Sequence, residues 1–98
     1  MKSRKEYIDA LATHADDMRS LFGVSSMRLF GSVARNEHKD GSDIDVCVDM
    51  PPRILKLVGL TTYLETLLGC KVDVIRNHSN MNPYLKEEIE KDGLYVFG

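Results

Sequence analysis

The amino-acid sequence predicts a single domain, residues 1–98, of the α/β (α+β) class: a mixed sheet of three or four strands with helices packed mainly on one face. β-Branched residues alternate with polar ones at 44–48 and again at 72–75, as in half-buried strands. Apolar residues recur at helical spacing before, between and after these runs. A chain of 98 residues with 43% hydrophobic content can form one core.

The N-terminal segment predicts one amphipathic helix followed by a strand. Ser3 and Glu6 have the spacing of a capping box, apolar residues continue at helical spacing to Phe22, and Gly23 is a stop signal. Residues 27–30 then form the strand that leads into a glycine–serine turn.

The second half predicts two more helices around a further strand. Pro51-Pro52 and Gly69 bound one helix, a strand covers 70–75, and the last helix runs from Pro83 to Gly93. Residues 94–97 form either an edge strand or an apolar tail docked on the fold. The middle helix carries the apolar residues Ile54, Leu57, Val58, Leu64, Leu67 and Leu68, and the Met, Leu and aromatic positions of the helices are expected to form the core.

Two carboxylates stand side by side on the strand at 43–48. Asp43 and Asp45 are two residues apart and so point to one face, roughly 6 to 7 Å from each other. At an effective dielectric constant near 20 their repulsion is about 2 to 3 kcal/mol, which a positive partner normally offsets. One interpretation is a cation site; the other is simply the wet face of a half-buried strand.

A third carboxylate favours the cation site. Asp73 lies between Val72 and Val74, so it is polar where its neighbours are apolar. If its strand adjoins the first, three carboxylates converge, and such oxygen ligands suit Mg²⁺, with Mn²⁺ as an alternative. The spacing does not match a calcium loop, and the cysteines and histidines do not have zinc-site spacing.

The combined motif resembles a known superfamily. Gly31-Ser32, ten residues, Asp43-x-Asp45 and a later Asp73 are similar to the signature of polymerase β-type nucleotidyltransferases. The run LFGSVARNEHKDGSDIDVCV resembles the minimal nucleotidyltransferases (MNT), antitoxin partners of HEPN-domain toxins. The resemblance implies a polymerase β-like core, with Asp43 and Asp45 bridging two Mg²⁺ ions and Asp73 completing the acceptor-side metal.

The resemblance also implies a nucleotide-binding set. Gly31 would allow close backbone approach to the triphosphate, and Ser32 would bind its β- and γ-phosphates. Arg35 either contacts the same phosphates or pairs within the chain with Glu37 or Asp40. Ser42 belongs to the family pattern, although a turn residue whose hydroxyl satisfies local backbone is its simpler interpretation.

Composition limits the partners. A net charge of −2 with scattered basic residues disfavours a nucleic-acid template. Two cysteines without a pairing framework, together with the absence of a long apolar run, predict a cytoplasmic protein without a membrane segment.

The function implied by the resemblance is transfer of AMP from ATP to a hydroxyl, expected to be a tyrosine of a HEPN toxin. The chain would then act as a type VII-like antitoxin. Two alternatives stay open: a non-catalytic subunit that binds the HEPN partner stoichiometrically, and one half of a two-subunit enzyme that acts on a small molecule.

Overall fold

A computed structural model describes residues 2–98 of the chain. Its helices and strands alternate in the predicted order, with one additional helix at the N-terminus. The helices are α1 (Arg4–Thr13), α2 (Ala15–Phe22), α3 (Gly31–Ala34), α4 (Ile54–Leu68) and α5 (Pro83–Asp92). The strands are β1 (Ser26–Phe30), β2 (Ile44–Asp49), β3 (Val72–Arg76) and β4 (Leu94–Phe97).

The four strands form one mixed sheet in the order β3-β2-β1-β4. β1 is antiparallel to both β2 and β4, whereas β2 and β3 run parallel and are joined by α4. This confirms the predicted mixed sheet, and residues 94–97 are an edge strand rather than a docked tail. β3 begins two residues later than predicted, because Gly69 ends α4 in a left-handed conformation and the chain needs Cys70 and Lys71 to reach the sheet.

The predicted first helix is in fact two helices. The capping box of Ser3 and Glu6 is present, but the helix breaks at His14 (φ −100°, ψ 13°). The side chains of Thr13 and His14 hydrogen-bond to the carbonyls of Asp9 and Ala10, at 2.7 and 2.8 Å. Such side-chain bonds to the preceding turn compete with regular helix geometry, and hydrophobic periodicity does not reveal them.

Most of the core lies on one face of the sheet. Here α1, α2 and α4 cover the inward-facing side chains of the strands, among them Met27, Leu29, Ile44, Val46 and Val48. A smaller cluster on the opposite face joins Phe30 and Cys47 to Ile89 of α5. The helices therefore pack mainly on one face, as predicted, and α5 alone among them lies across the other.

The first turn of α4 departs from the prediction. Leu60, Leu64 and Leu68 are buried, but Ile54 and Val58 are 72% and 56% exposed. The expectation that the leucines of this helix form the core is wrong at Leu55, which is 83% exposed, because α4 is apolar around most of its circumference and only one side faces the sheet. Over residues 2–98 no helix has the length and apolar character needed to cross a membrane.

Candidate active site

The alternation of β2 divides its side chains between two faces. Ile44, Val46 and Val48 are fully buried on the main core face, which leaves Asp45 on the opposite face. In the sheet, Asp45 lies between Phe30 of β1 and Asp73 of β3, its two register partners. Because paired residues share a face, the half-buried Asp45 and the exposed Asp73 open into the same cleft.

This cleft, called here the aspartate cleft, has a volume of about 300 Å³ and is closed on one side by α5. Its polar lining consists of Asp45, Asp73 and Glu88, over a floor that includes Phe30 and Ile75. Partial burial, reinforced by the charges of Asp73, Glu88 and Asp43, raises the pKa of Asp45 to about 6. The site concentrates negative charge around one carboxyl group.

Asp43 occupies a different position from the other two predicted aspartates. It immediately precedes β2, and its carboxylate is 4.0 Å from the Nζ atom of Lys71. It lines a neighbouring depression with Ser42 and Gly69 rather than the aspartate cleft. Its charge still acts on Asp45. The structure thus brings Asp45 and Asp73 together and leaves Asp43 at the margin.

The backbone of Gly31 lies against the carboxylate of Asp45. Gly31 is buried, begins α3 and has a left-handed backbone with φ of +74°. A Cβ atom at this position would collide with the Asp45 Oδ2 atom and lie 3.1 Å from its Cγ atom. Glycine is therefore required both by the turn and by the proximity of the carboxylate. The latter role is not apparent from the sequence motif.

Ser32 is half-buried in the first turn of α3. Its backbone carbonyl accepts a hydrogen bond from the amide of Glu37 at 2.8 Å. Its hydroxyl has no hydrogen-bond partner among residues 2–98, so it is available to an external ligand. Its predicted role as a phosphate donor stays a prediction.

Arg35 is engaged within the chain. Its guanidinium bonds to Glu37 at 3.1 Å and to Asp92 of α5 at 2.9 Å, and it lies 3.6 Å from Glu88. Pairing with Glu37 was one of the two interpretations of this residue, and the two carboxylates of α5 were not foreseen. A phosphate contact by Arg35 would require the guanidinium to exchange these partners.

Ser42 has the structural role suggested for it. Its hydroxyl accepts a hydrogen bond from the amide of Lys39 at 3.0 Å, and its own amide donates to the Lys39 carbonyl at 2.9 Å. These two bonds close the loop that precedes Asp43. A nucleotide contact by Ser42 stays a prediction.

Sequence reasoning missed Glu88. It projects from α5 into the aspartate cleft, where its charge helps to raise the pKa of Asp45. The available signal was weak: Glu88 immediately precedes the buried Ile89 and lies three residues after Leu85, which also lines the cleft. Helical spacing places these residues near the covered side of α5.

The donor chemistry of the cleft suits a divalent cation. Asp45 and Asp73 offer hard carboxylate oxygens, and a cation there would offset the burial and the carboxylate repulsion that together raise the pKa of Asp45. Among residues 2–98, no three side chains of His, Cys, Asp or Glu come close enough to form a complete metal-binding group. Mg²⁺ is commonly held by one or two carboxylates together with substrate phosphates. Asp45 and Asp73 supply that number of protein ligands.

The structure is thus a mixed α/β domain whose sheet places two paired aspartates beside a glycine–serine turn. The chain belongs to the nucleotidyltransferase family, because residues 11–96 match the family described as "Nucleotidyltransferase domain". This confirms the family predicted from the motif between Gly31 and Asp45, and with it an enzyme of the nucleotidyltransferase type.

Known proteins resemble the chain over almost its whole length. MJ1217 of Methanocaldococcus jannaschii, provisionally named a protein adenylyltransferase, is 43% identical over 98% of this chain and 100% of its own. The protein adenylyltransferase MntA of Thermococcus cleftensis is 35% identical over 98% of both chains. A solved complex described as tri-AMPylated Shewanella oneidensis HEPN toxin with MNT antitoxin has the same fold. The TM-score is 0.70 at 18% identity, over 97% of this chain and 72% of that one.

Proposed function

We propose that the chain is a Mg²⁺-dependent protein adenylyltransferase that transfers AMP from ATP to a tyrosine hydroxyl of a HEPN-domain toxin and thereby acts as its antitoxin. The observation that carries the proposal is the register pairing of Asp45 with Asp73 in an open cleft beside Gly31. Support for the acceptor comes from the relatives, which are named for protein adenylylation, and from the AMP-bearing HEPN toxin in the related complex.

Asp45 and Asp73 would hold the cation, and Asp43 would complete the set from the margin of the cleft. A bound Mg²⁺ supplies charge neutralisation for the triphosphate and acidifies the attacking hydroxyl. The number of ions proposed is two, as for other two-metal phosphoryl-transfer sites. The carboxylates themselves fix the position of the reaction, because β2 and β3 are anchored in the core on their other face.

Gly31 and Ser32 would receive the phosphates. The lack of a Cβ atom at Gly31 leaves room beside Asp45, and the hydroxyl of Ser32, which has no partner among residues 2–98, would be a donor for the phosphate oxygens. Arg35 would join them after exchanging its carboxylate partners for the more highly charged triphosphate.

The reaction is a single displacement at the α-phosphorus of ATP. The tyrosine oxygen forms a bond to the α-phosphorus as the bond from that phosphorus to the bridging oxygen breaks, and pyrophosphate leaves. The proton of the tyrosine hydroxyl passes to one of the two carboxylates, Asp45 or Asp73. Most of the rate would come from positioning and from stabilisation of the charge that develops on the phosphate oxygens.

The direct test mixes the purified chain with Mg²⁺, ATP labelled at the α-phosphate and a purified HEPN toxin. Label is expected on the toxin, and replacement of its acceptor tyrosine by phenylalanine should remove it. Asp45→Asn and Asp43→Asn should each lower transfer at least about 100-fold without unfolding the chain. The surface variant Asp9→Asn, far along the sequence from the cleft, should retain full transfer.

The same experiment separates the proposal from stoichiometric inhibition. Under that alternative, the chain would inhibit the toxin at a one-to-one ratio while leaving it unlabelled, and Asp45→Asn would inhibit equally well. Transfer of label by a folded double variant of Asp43 and Asp45 would contradict the assignment of the site.

A further inference from the structure

A second cavity lies on the same face of the sheet as the aspartate cleft but on the other side of α5. It has a volume of about 280 Å³ and is called here the Arg28 pocket. Along α5 it is bounded by Lys86, Ile89 and Glu90, whereas the aspartate cleft is bounded by Leu85 and Glu88. The helix thus separates two cavities. The polar residues of the new one are Arg28, Asn77, His78, Ser79, Lys86 and Glu90.

Arg28 is the unusual residue of this pocket. It is half-buried in β1, an inner strand of the sheet, and has no carboxylate within 4 Å among residues 2–98. Its guanidinium carbon instead lies 5.3 Å from the centre of the Tyr95 ring. A partly buried cation without a direct anionic partner is costly, so an oxyanion that enters the pocket would be attracted to it.

The nearby carboxylate of Asp49 does not serve as that direct partner. Its Oδ2 atom accepts a hydrogen bond from the Ser26 hydroxyl at 2.6 Å, and its Oδ1 atom accepts one from the Asn77 amide at 2.9 Å. These two bonds, followed by the charge of Arg28, lower the pKa of Asp49. Asp49 is thus held by neutral donors and moderates the charge of Arg28 without a salt bridge to it.

Apart from the carboxylate of Glu90, the other polar side chains of the pocket add donors. The Nδ1 atom of His78 accepts a hydrogen bond from the Asn80 amide at 3.1 Å, so in the neutral ring the proton is on Nε2. Lys86 is exposed and forms no salt bridge with the described carboxylates, including Glu90 one turn further on. A guanidinium, an ammonium and an imidazole N–H, with the Ser79 hydroxyl, are groups that recognise phosphate oxygens.

We propose that the Arg28 pocket is a second anion site, in which Arg28, Lys86 and His78 bind the phosphate group of a small ligand. Its volume lies just below the usual range for ligand pockets, which favours a small ligand such as inorganic phosphate, pyrophosphate or a nucleoside monophosphate. The site is separate from the aspartate cleft and does not depend on AMP transfer.

The test is a titration of the ¹⁵N-labelled full chain, at constant ionic strength, with phosphate, pyrophosphate and AMP in separate arms. Saturable shifts are expected in the amide signals of His78, Ser79 and Lys86. Lys86→Gln and Arg28→Gln should each weaken binding about tenfold. Lys91→Gln is the matched control, since it removes a lysine from the same helix outside the pocket.

The arms identify the source of the phosphate: binding of inorganic phosphate alone defines a free-anion site, and preference for AMP defines a nucleotide site. Either supports the proposal. Shifts confined to Gly31 and Ser32, no saturation by about 10 mM ligand, or equal weakening by Lys86→Gln and Lys91→Gln would overturn it. Lys86 is exposed, so its variant stays informative even if Arg28→Gln unfolds. In Asp45→Asn, the shifts of the His78, Ser79 and Lys86 signals should match those of the wild type whether or not AMP transfer is found.

Discussion

At the scale of single residues, the tightest constraint in the site joins a glycine to a carboxylate. Gly31 supplies the left-handed turn after β1, and its missing Cβ atom leaves the space that Asp45 occupies. The turn that is expected to receive phosphate is therefore the same element that holds the half-buried aspartate in place. Substitutions here affect folding and chemistry together.

Gly31→Ala should destabilise the chain more than the same change at Gly69. Both residues have a left-handed backbone, with φ of +74° and +69°, but only Gly31 has a neighbour within 4 Å of the added methyl group. The backbone cost of about 1 to 2 kcal/mol is common to both variants, and displacement of Asp45 adds about 1 to 3 kcal/mol to the first. Urea denaturation measures the difference. Equal losses of stability would show that Asp45 does not constrain the turn.

Asp45→Asn should stabilise the metal-free chain above about pH 6. Folding raises the pKa of Asp45 from 3.8 to about 6, so the folded state binds this proton more tightly than the unfolded state. Stability from this group is consequently present at low pH and is lost as the pH rises from about 4 to about 6. After discounting for solvent screening, the gain at pH 7 is about 1 to 2 kcal/mol.

Chemical denaturation of both proteins at several pH values, without divalent cations, checks this dependence. The advantage of the variant should disappear below about pH 4, where both side chains are neutral. A variant that is less stable than the wild type at pH 7 would contradict the sign.

At the scale of elements, α4 has two different surfaces. One side is buried against the sheet by Leu60, Leu64 and Leu68, while Ile54, Leu55 and Val58 are left exposed near its start. The helix contains few charged residues to mark which side faces solvent. Its hydrophobic pattern therefore predicts a helix well and its orientation poorly.

Leu64→Ala should lower the free energy of unfolding by about 2 to 5 kcal/mol, whereas Leu55→Ala should change it by less than about 0.5 kcal/mol. The first side chain is fully buried and the second is 83% exposed, on the same helix. Thermal or urea denaturation of the two variants provides the comparison. Similar losses would mean that Leu55 is also covered in solution.

At the scale of the whole molecule, the strands and the sheet could be predicted because the residues that alternate as apolar in the sequence are the ones buried in the structure. Ile44, Val46 and Val48 are apolar in sequence and inaccessible in the structure. The proximity of Asp73 to Asp45 was harder to predict from the sequence, since it depends on the parallel pairing of two strands whose aspartates are 28 positions apart. Periodicity alone leaves that pairing open, and the family resemblance supplied it.

Other features depend on packing that the sequence pattern does not contain. The break at His14 arises from side-chain bonds inside an unbroken helical periodicity. Glu88 is one of several acids on α5, and only the docking of that helix on the sheet decides which of them enters the cleft. The docking of α5 also determines that Arg35 pairs with Glu88 and Asp92.

The crossover from β2 through α4 to β3 ties the aspartate cleft to the cooperative unfolding of the domain. Any fluctuation that detaches this 15-residue helix also loosens the parallel strand pair, so a partly opened molecule would lose the nucleotide affinity proposed for the cleft. Conversely, an occupied cleft would suppress such opening throughout the chain by mass action. If the proposed function holds, the resistance of the protein to unfolding would then rise with the concentration of nucleotide.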